Sequence, residues 1–121
     1  MAQSVILFAK DPGVAHSLVG PLRSHFQAVL VTNSRHDLRD TVAKNRPEAV
    51  VLDIEGSHLG EVETLRSHFP SLPIVCTHRI PDEDLWMAAL QAGASDVCPA
   101  DDVKDVLTSV LRNMALAKAA A

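Results

Sequence analysis

The chain has 121 residues, of which 47% are hydrophobic and 21% are charged, and its net charge is -4. This length and composition indicate one folded domain with its own core and exclude a disordered segment. The negative charge argues against nucleic-acid binding, and no apolar run approaches the ~20 residues that span a bilayer. The N-terminus lacks the basic start of a secretory signal. We therefore expect one cytoplasmic domain over residues 1–121, with an alanine-rich helical tail from about residue 114.

Short apolar runs alternate with segments of helical length along the chain. The runs comprise residues 5–9, 28–31, 49–52, 74–76 and 97–98. Continuous runs of this kind, without alternating polar residues, are typical of parallel strands that are buried on both faces. The alternation with helices predicts a doubly wound α/β fold, in which five helices cover a five-stranded parallel sheet.

The first helix is predicted over residues 13–26 and contains a glycine-proline pair, Gly20-Pro21. A proline inside a helix removes a backbone hydrogen bond at a cost of ~3 kcal/mol. We therefore expect a kink or a late start in this helix. The second helix is predicted over residues 34–45, because Ser34 and the aspartate three places later form a variant of the capping box.

The last two helices also carry end signals. Pro81 and the acids that follow it open the fourth helix, and Gly93 ends it. The fifth helix begins near Asp101 or Asp102. Its apolar residues recur at intervals of three and four, as expected for one buried face. They are Val103, Val106, Leu107, Val110, Leu111 and Met114.

The fourth helix has apolar residues on more than one face. Trp86 lies at helical spacing with Ala89 and Leu90, which predicts that all three belong to the core. Leu85 and Met87 fall on the flanking faces, and we interpret them as part of a contact surface.

The chain contains two cysteines and six histidines, the residue types that most often bind metals or act as nucleophiles. Cys76 and Cys98 lie in apolar stretches, and we expect them to be buried, reduced thiols on adjacent strands. The histidines show no paired spacing that would place two metal ligands on one helix, so we expect scattered surface histidines.

The strand ends supply the candidate site, because ligands of a doubly wound sheet collect at the carboxyl ends of its strands. No glycine-rich phosphate loop and no nucleophile elbow follows these strands, which excludes the common nucleotide-binding and hydrolase motifs. The residues at these strand ends that form the candidate site are Ala9, Lys10, Asp11, Asp53, Glu55, Thr77, His78 and Ala100.

Four stretches together point to a family. Residues 5–12 read Val-Ile-Leu-Phe-Ala-Lys-Asp-Pro, residues 46–54 read Arg-Pro-Glu-Ala-Val-Val-Leu-Asp-Ile, residues 72–75 read Leu-Pro-Ile-Val, and residues 92–97 read Ala-Gly-Ala-Ser-Asp-Val. With these stretches the chain resembles the receiver domain of bacterial two-component response regulators over nearly its whole length. The resemblance implies a flavodoxin-like sheet of order 2-1-3-4-5. It also implies phosphoryl transfer from a histidine kinase to the third-strand aspartate, with magnesium bound by neighbouring acids.

The resemblance places Asp53 at the phosphoacceptor position. Glu55 is expected to lie in the same active-site cleft. The acidic pair that holds magnesium in the family falls on Ala9 and Lys10. Asp11 follows, where family members often carry an additional acid. Because magnesium prefers carboxylate oxygens and Lys10 brings a positive charge, we expect magnesium binding through Asp11 and Asp53 to be weak or absent. We expect no other cofactor.

Other family positions are also altered. Counting back from Gly93 without a gap places His78 at the family's hydroxyl position, whereas a shift of one residue places Thr77 there, and both assignments stay open. The family's lysine falls on Ala100, and its switch aromatic falls on Val97, which has no ring to rotate. Phosphoryl transfer needs cations around the transferred group, so these losses predict slow or absent phosphorylation.

Two residues could supply positive charge to Asp53 without a metal, namely Lys10 and His78. A Lys10–Asp53 ion pair in a partly buried cleft would favour the ionised carboxylate. We expect this pair to be structural and to hold the domain in one dominant conformation.

The resemblance implies a receiver domain in two-component signalling and not an enzyme, beyond phosphoryl acceptance on Asp53. We expect it to be a stand-alone receiver; a fragment of a longer protein, with its output beyond Ala121, stays open. The altered positions favour an atypical receiver, a pseudo-receiver, that acts through protein contacts. In the family the contact surface combines the fourth helix, the fifth strand and the fifth helix, here about residues 81–114. The alternative is a working phosphoacceptor on Asp53 with altered metal use. We expect a protein partner, for which a histidine kinase is one candidate, and no nucleic-acid or membrane binding; a homodimer stays open.

Overall fold

A computed structural model describes residues 3–32, 35–54, 59–79 and 82–120. The elements alternate along the chain as expected for a doubly wound fold. They are β1 Ser4–Phe8, α1 Pro12–Arg23, β2 Ala28–Thr32, α2 Arg35–Asn45, β3 Ala49–Asp53, α3 Leu59–His68, β4 Ile74–His78, α4 Glu83–Ala92, β5 Asp96–Pro99 and α5 Val103–Ala120. The five strands are parallel and lie in the order β2-β1-β3-β4-β5. The predicted flavodoxin-like α/β fold with sheet order 2-1-3-4-5 is therefore confirmed.

Helices cover the sheet on both sides. On one side, Leu7 and Val51 pack with α1 and α5, and we call this the α1/α5 side. On the other, Ile6 and Leu52 pack with α2, α3 and α4, and we call this the α2–α4 side. All four side chains are fully buried. Because successive strand residues point to opposite faces, the side chosen by one residue fixes that of its neighbours, including those at the strand ends.

Helix α1 begins earlier than the sequence predicts. Asp11 caps it, because its carboxylate accepts a hydrogen bond from the Gly13 N–H at 2.7 Å, and Pro12 occupies the first turn. The expectation of a late start was wrong, since a cap followed by proline is a strong start signal. Pro21 lies inside the helix but close to its end at Arg23, so its missing N–H interrupts only the last turn.

Helix α4 packs on the sheet with a different face from the one that the sequence predicts. Leu85 packs against the core and Ala89 is fully buried, whereas Trp86 is 39% exposed and Leu90 is 38% exposed. The placement of Trp86 and Leu90 in the core and of Leu85 at the surface was therefore wrong, while Met87 is exposed as predicted. The helix meets the sheet through small and aliphatic residues at i and i+4, which leaves the bulky indole outside.

The end of α4 and the start of α5 follow their sequence signals. Gly93 ends α4 with φ of 120°, a conformation that glycine adopts without strain. Asp102 precedes α5, and its carboxylate accepts a hydrogen bond from the Asp105 N–H at 3.0 Å. The predicted alanine-rich tail is helical as far as Ala120. The predicted signals at Ser34 and Pro81 lie outside the described residues.

The cysteines are buried free thiols on the adjacent strands β4 and β5, as predicted. They point to opposite sides, because Cys76 packs on the α2–α4 side and Cys98 on the α1/α5 side. Burial raises the pKa of each thiol to about 12, with further contributions from Cys98 and Asp53 at Cys76, and from Asp96 at Cys98.

Across the described ranges, no helix combines the length and the apolar character needed to cross a membrane.

Candidate functional site

Asp53 is the last residue of β3 and is only 3% exposed. It follows Val51 by two residues, so its side chain lies on the α1/α5 side of the sheet. In the β3–β4 pairing its partner is Thr77, and the next N–H, that of Ile54, donates to the Thr77 carbonyl at 3.0 Å. The predicted acceptor therefore lies at a buried strand end that is paired with β4.

Thr77 shares the face of Asp53, and His78 does not. Paired residues of parallel strands point to the same side, and Val75 places Thr77 on the α1/α5 side by alternation. His78 points the opposite way, with its ring 5.7 Å from the Trp86 ring of α4, centroid to centroid. Of the two residues that the sequence left open for the position beside Asp53, the geometry brings Thr77 there.

The end of β4 holds buried polar atoms without partners. Thr77 is fully buried and His78 is 3% exposed. Neither the Thr77 hydroxyl nor either ring nitrogen of His78 has a hydrogen-bond partner in the described part of the chain. The expectation of a surface histidine was wrong for His78. Unsatisfied buried groups of this kind are costly and call for a structural or functional reason.

Asp11 is held by an arginine that the sequence analysis missed. The Arg79 Nη1 donates to Asp11 Oδ2 at 2.6 Å, and the other carboxylate oxygen accepts from the Gly13 N–H. Both oxygens of Asp11 are thus bound by the protein itself. A signal for Arg79 existed: it is a cation directly after the fourth strand, at the same sheet edge as Asp11, in a chain that lacks the family's lysine at Ala100.

Lys10 does not form the expected ion pair with Asp53. Its side chain is exposed, and no ion pair or hydrogen bond of Lys10 occurs among the residues that the structure describes. Asp53 is buried below this surface, so the ammonium group stays in water, where it is well hydrated. Ala9 is buried in the core of the α1/α5 side, and its methyl group offers no ligand oxygen.

A cavity of about 350 Å³ lies beside the Asp11–Arg79 pair. Ala100 contributes only a methyl group to its wall, so the space that a long side chain at this position could fill is left open. The lining residues are Asp11, Gly13, Val14, Ser17, Arg79, Ala100 and Asp101. The cavity is therefore an opening at the sheet edge on the side of Asp53.

The described residues do not fit a magnesium ion. Each carboxylate oxygen of Asp11 already accepts a hydrogen bond from the protein, and Ala9 and Lys10 provide no oxygen ligands from their side chains. Within the described ranges, no group of three or more His, Cys, Asp or Glu side chains is close enough to share a metal. Glu55, the further predicted acid of the cleft, lies outside these ranges.

The predicted switch position and α4 of the predicted contact face lie on the α2–α4 side, whereas α5 of that face lies on the α1/α5 side. Val97 pairs with Cys76 and is buried in that core. On α4, exposed apolar side chains form a patch of Trp86, Met87 and Leu90, which we call the α4 patch. Acidic residues precede the patch in the first turn of α4.

Comparison with known proteins gives sequence and fold matches. No model of a known protein family matches the chain. It is 31% identical over 102 residues to response regulator MprA of Mycobacterium sp. strain KMS, and equally to those of strains JLS and MCS. The match covers 82% of this chain but 44% of the relative, so the chain spans less than half the length of the curated relatives it matches.

Two solved structures illustrate the fold match. The N-terminal signal receiver domain of a two-component system response regulator from Bacteroides fragilis has a TM-score of 0.82 and 25% identity, over 94% of this chain and 98% of that one. The BeF3-activated N-terminal receiver domain of RstA from Klebsiella pneumoniae has a TM-score of 0.78 and 24% identity, over 91% and 96% of the two chains.

Proposed function

Because the chain belongs to the receiver domains of two-component response regulators, we propose that it is an atypical receiver whose output is a protein contact that does not depend on magnesium-assisted phosphorylation. One observation carries this proposal. Asp11, the acid that remains after β1, has both carboxylate oxygens engaged, one by the Gly13 N–H and one by Arg79 at 2.6 Å. Of the two acids expected to bind magnesium, Asp11 is therefore already paired with a cation of the protein.

Ala9, Lys10 and Ala100 also weaken magnesium binding and phosphoryl transfer. Magnesium needs several oxygen ligands in near-octahedral geometry, and Ala9 and Lys10 replace the two carboxylates that supply them in the family. Lys10 adds a positive charge at the sheet edge, and Ala100 removes the family's cation from the cleft. Both the metal and the cation that stabilise a transferred phosphoryl group are thus weakened or lost.

The α4 patch is the proposed output surface. Trp86, Met87 and Leu90 expose a bulky apolar area on one helix, and exposed aromatic and methionine side chains are common anchors of protein interfaces. The patch lies within residues 81–114, the region that corresponds to the family's contact face. The partner is a protein, such as a histidine kinase or an effector, and the buried reduced thiols support action in the cytoplasm.

A second candidate function is phosphoryl acceptance on Asp53 with altered metal use. The unpartnered Thr77 hydroxyl favours it, because it lies in register with Asp53 on the same face of the sheet. The Thr77 hydroxyl could donate a hydrogen bond to an oxygen of a phosphoryl group on Asp53 and so stabilise it.

The two candidates differ in their response to beryllofluoride, a phosphoryl mimic, in the presence of magnesium. Trp86 reports on the end of β4, because its ring lies 5.7 Å from that of His78, the residue next to Thr77. The proposal expects no change in Trp86 fluorescence up to millimolar magnesium, and none in backbone amide shifts of residues 82–114. A change that is lost in Asp53→Asn would favour the phosphoacceptor instead. The double variant Ala9→Asp with Lys10→Asp serves as the positive control.

A further inference from the structure

The Asp11–Arg79 ion pair joins the ends of two strands that flank β3. Asp11 follows β1, Arg79 follows β4, and β3 lies between these strands in the sheet. The pair thus spans the carboxyl end of β3, where Asp53 lies, and connects residues 68 positions apart in sequence. A contact of this reach is set by the fold and not by local helix or turn geometry.

The ion pair also lies on the side of the sheet to which Asp53 points. Asp11 and Arg79 line the same cavity as Val14 and Ala100. Val14 and Ala100 belong to the core of the α1/α5 side, the side of Asp53. Asp53 itself is only 3% exposed, although it lies at the carboxyl end of β3, the sheet edge that carries this cavity.

We propose that the Asp11–Arg79 pair is a strap that closes the cleft over Asp53 and limits the access of reagents to its carboxylate. The proposal rests on the proposed function, because it names a reason why the cleft of this receiver is closed to cations and phosphodonors. The strap neutralises Asp11 and covers Asp53 at the same time.

The strap can open without unfolding the domain. The Arg79 side chain is 54% exposed and that of Asp11 is 35% exposed, so water and salt compete for both charges. Exposed ion pairs of this kind are weak and are screened by salt. Access to Asp53 should therefore increase with ionic strength and when either partner of the strap is removed.

Thiol labelling at position 53 measures this access directly. In an Asp53→Cys background, the rate of alkylation by iodoacetamide reports how often the site is open. Cys76 and Cys98 give little background, because they are buried and burial raises the pKa of both thiols to about 12. The strap is then broken from each end, by Arg79→Ala or by Asp11→Asn, which retains an oxygen for the helix cap.

The two variants separate access from charge. We expect both to increase the alkylation rate roughly two- to fivefold, as expected for loss of an exposed ion pair. Loss of a nearby cation alone would slow thiolate formation, and loss of a nearby carboxylate would accelerate it. Opposite effects of the two variants, or no effect of either, would overturn the strap. Arg39→Ala, which removes an exposed arginine of another ion pair on α2, should leave the rate unchanged.

A second measurement keeps Asp53 in place. The Ile54 N–H donates to the Thr77 carbonyl directly beside Asp53, so its hydrogen exchange reports local opening of this strand end. Arg79→Ala and Asp11→Asn should each accelerate its exchange, and unchanged exchange would contradict the strap. Neither assay uses magnesium or a phosphodonor. A failed strap therefore leaves the proposed function standing, whereas a beryllofluoride response of the unmodified protein would remove the proposed function alone.

Discussion

Thr77 lies opposite Asp53 in the β3–β4 pairing, and its buried hydroxyl has no hydrogen-bond partner within the part of the chain that the structure describes. The next residue, His78, is buried on the opposite side of the sheet with both ring nitrogens unpartnered. Two consecutive residues thus leave polar atoms unsatisfied on both sides of one strand end. Such sites lower stability and are retained mainly where function requires the polar group.

Replacement of the Thr77 hydroxyl by a methyl group should stabilise the domain. We expect Thr77→Val to raise the free energy of unfolding by about 1 kcal/mol, because the buried hydroxyl pays a desolvation cost without a hydrogen bond. Urea denaturation measures the change. Thr77→Ser keeps the hydroxyl and should give no such gain. A clear loss of stability in Thr77→Val would show that the hydroxyl has a stabilising partner.

His78 should respond in the same way. We expect His78→Leu to raise the free energy of unfolding by about 1 kcal/mol, since both buried ring nitrogens lack partners. The emission of Trp86 should change as well, because its ring loses a neighbour at 5.7 Å. His16→Leu, at an exposed position of α1, is the control and should change stability little. If His78→Leu unfolds the domain, the ring is bound by a polar partner.

Gly93 should tolerate no side chain. Its φ is 120°, and a Cβ there would lie 2.6 Å from Cγ of Arg66, whose Nε donates to the Gly93 carbonyl at 2.8 Å. Gly93→Ala should therefore lower the free energy of unfolding by about 1–3 kcal/mol. Gly20→Ala is the matched control, because no atom beyond its chain neighbours and the nearby helix backbone lies within 4 Å of the new methyl group, and alanine favours the helix. Equal effects at both sites in thermal denaturation would contradict the account of the α4 end.

The α4 patch should contribute to partner binding more than to stability. Trp86→Ala and Met87→Ala remove exposed side chains, so we expect changes in the free energy of unfolding below ~1 kcal/mol. Partner capture from the source cell should fall sharply for Trp86→Ala, since aromatic anchors dominate interfaces. Leu116→Ala, at an exposed position on α5, is the control. Equal capture by Trp86→Ala and the parent would place the output surface elsewhere.

The sequence predicts the sheet well and the site less completely. The apolar runs predict a parallel sheet covered on both faces, because strands buried on both sides need continuous apolar residues, and the strand order comes from the family resemblance. The rotation of α4 was missed because apolar residues cover most of its circumference, so periodicity does not tell whether Leu85 or Trp86 meets the sheet. Arg79 was missed because its ion pair joins two loops through long side chains, whose placement no local pattern encodes. The ambiguity between Thr77 and His78 is decided by strand register alone.

The most direct test of the account is calorimetric titration of magnesium into the unmodified protein and into the double variant Ala9→Asp with Lys10→Asp. We expect no saturable binding to the unmodified protein at millimolar magnesium, because Asp11 is held by Arg79 and its neighbours Ala9 and Lys10 carry no carboxylates. The double variant should gain measurable binding that depends on Asp53. Saturable binding to the unmodified protein that disappears in Asp53→Asn would contradict the account.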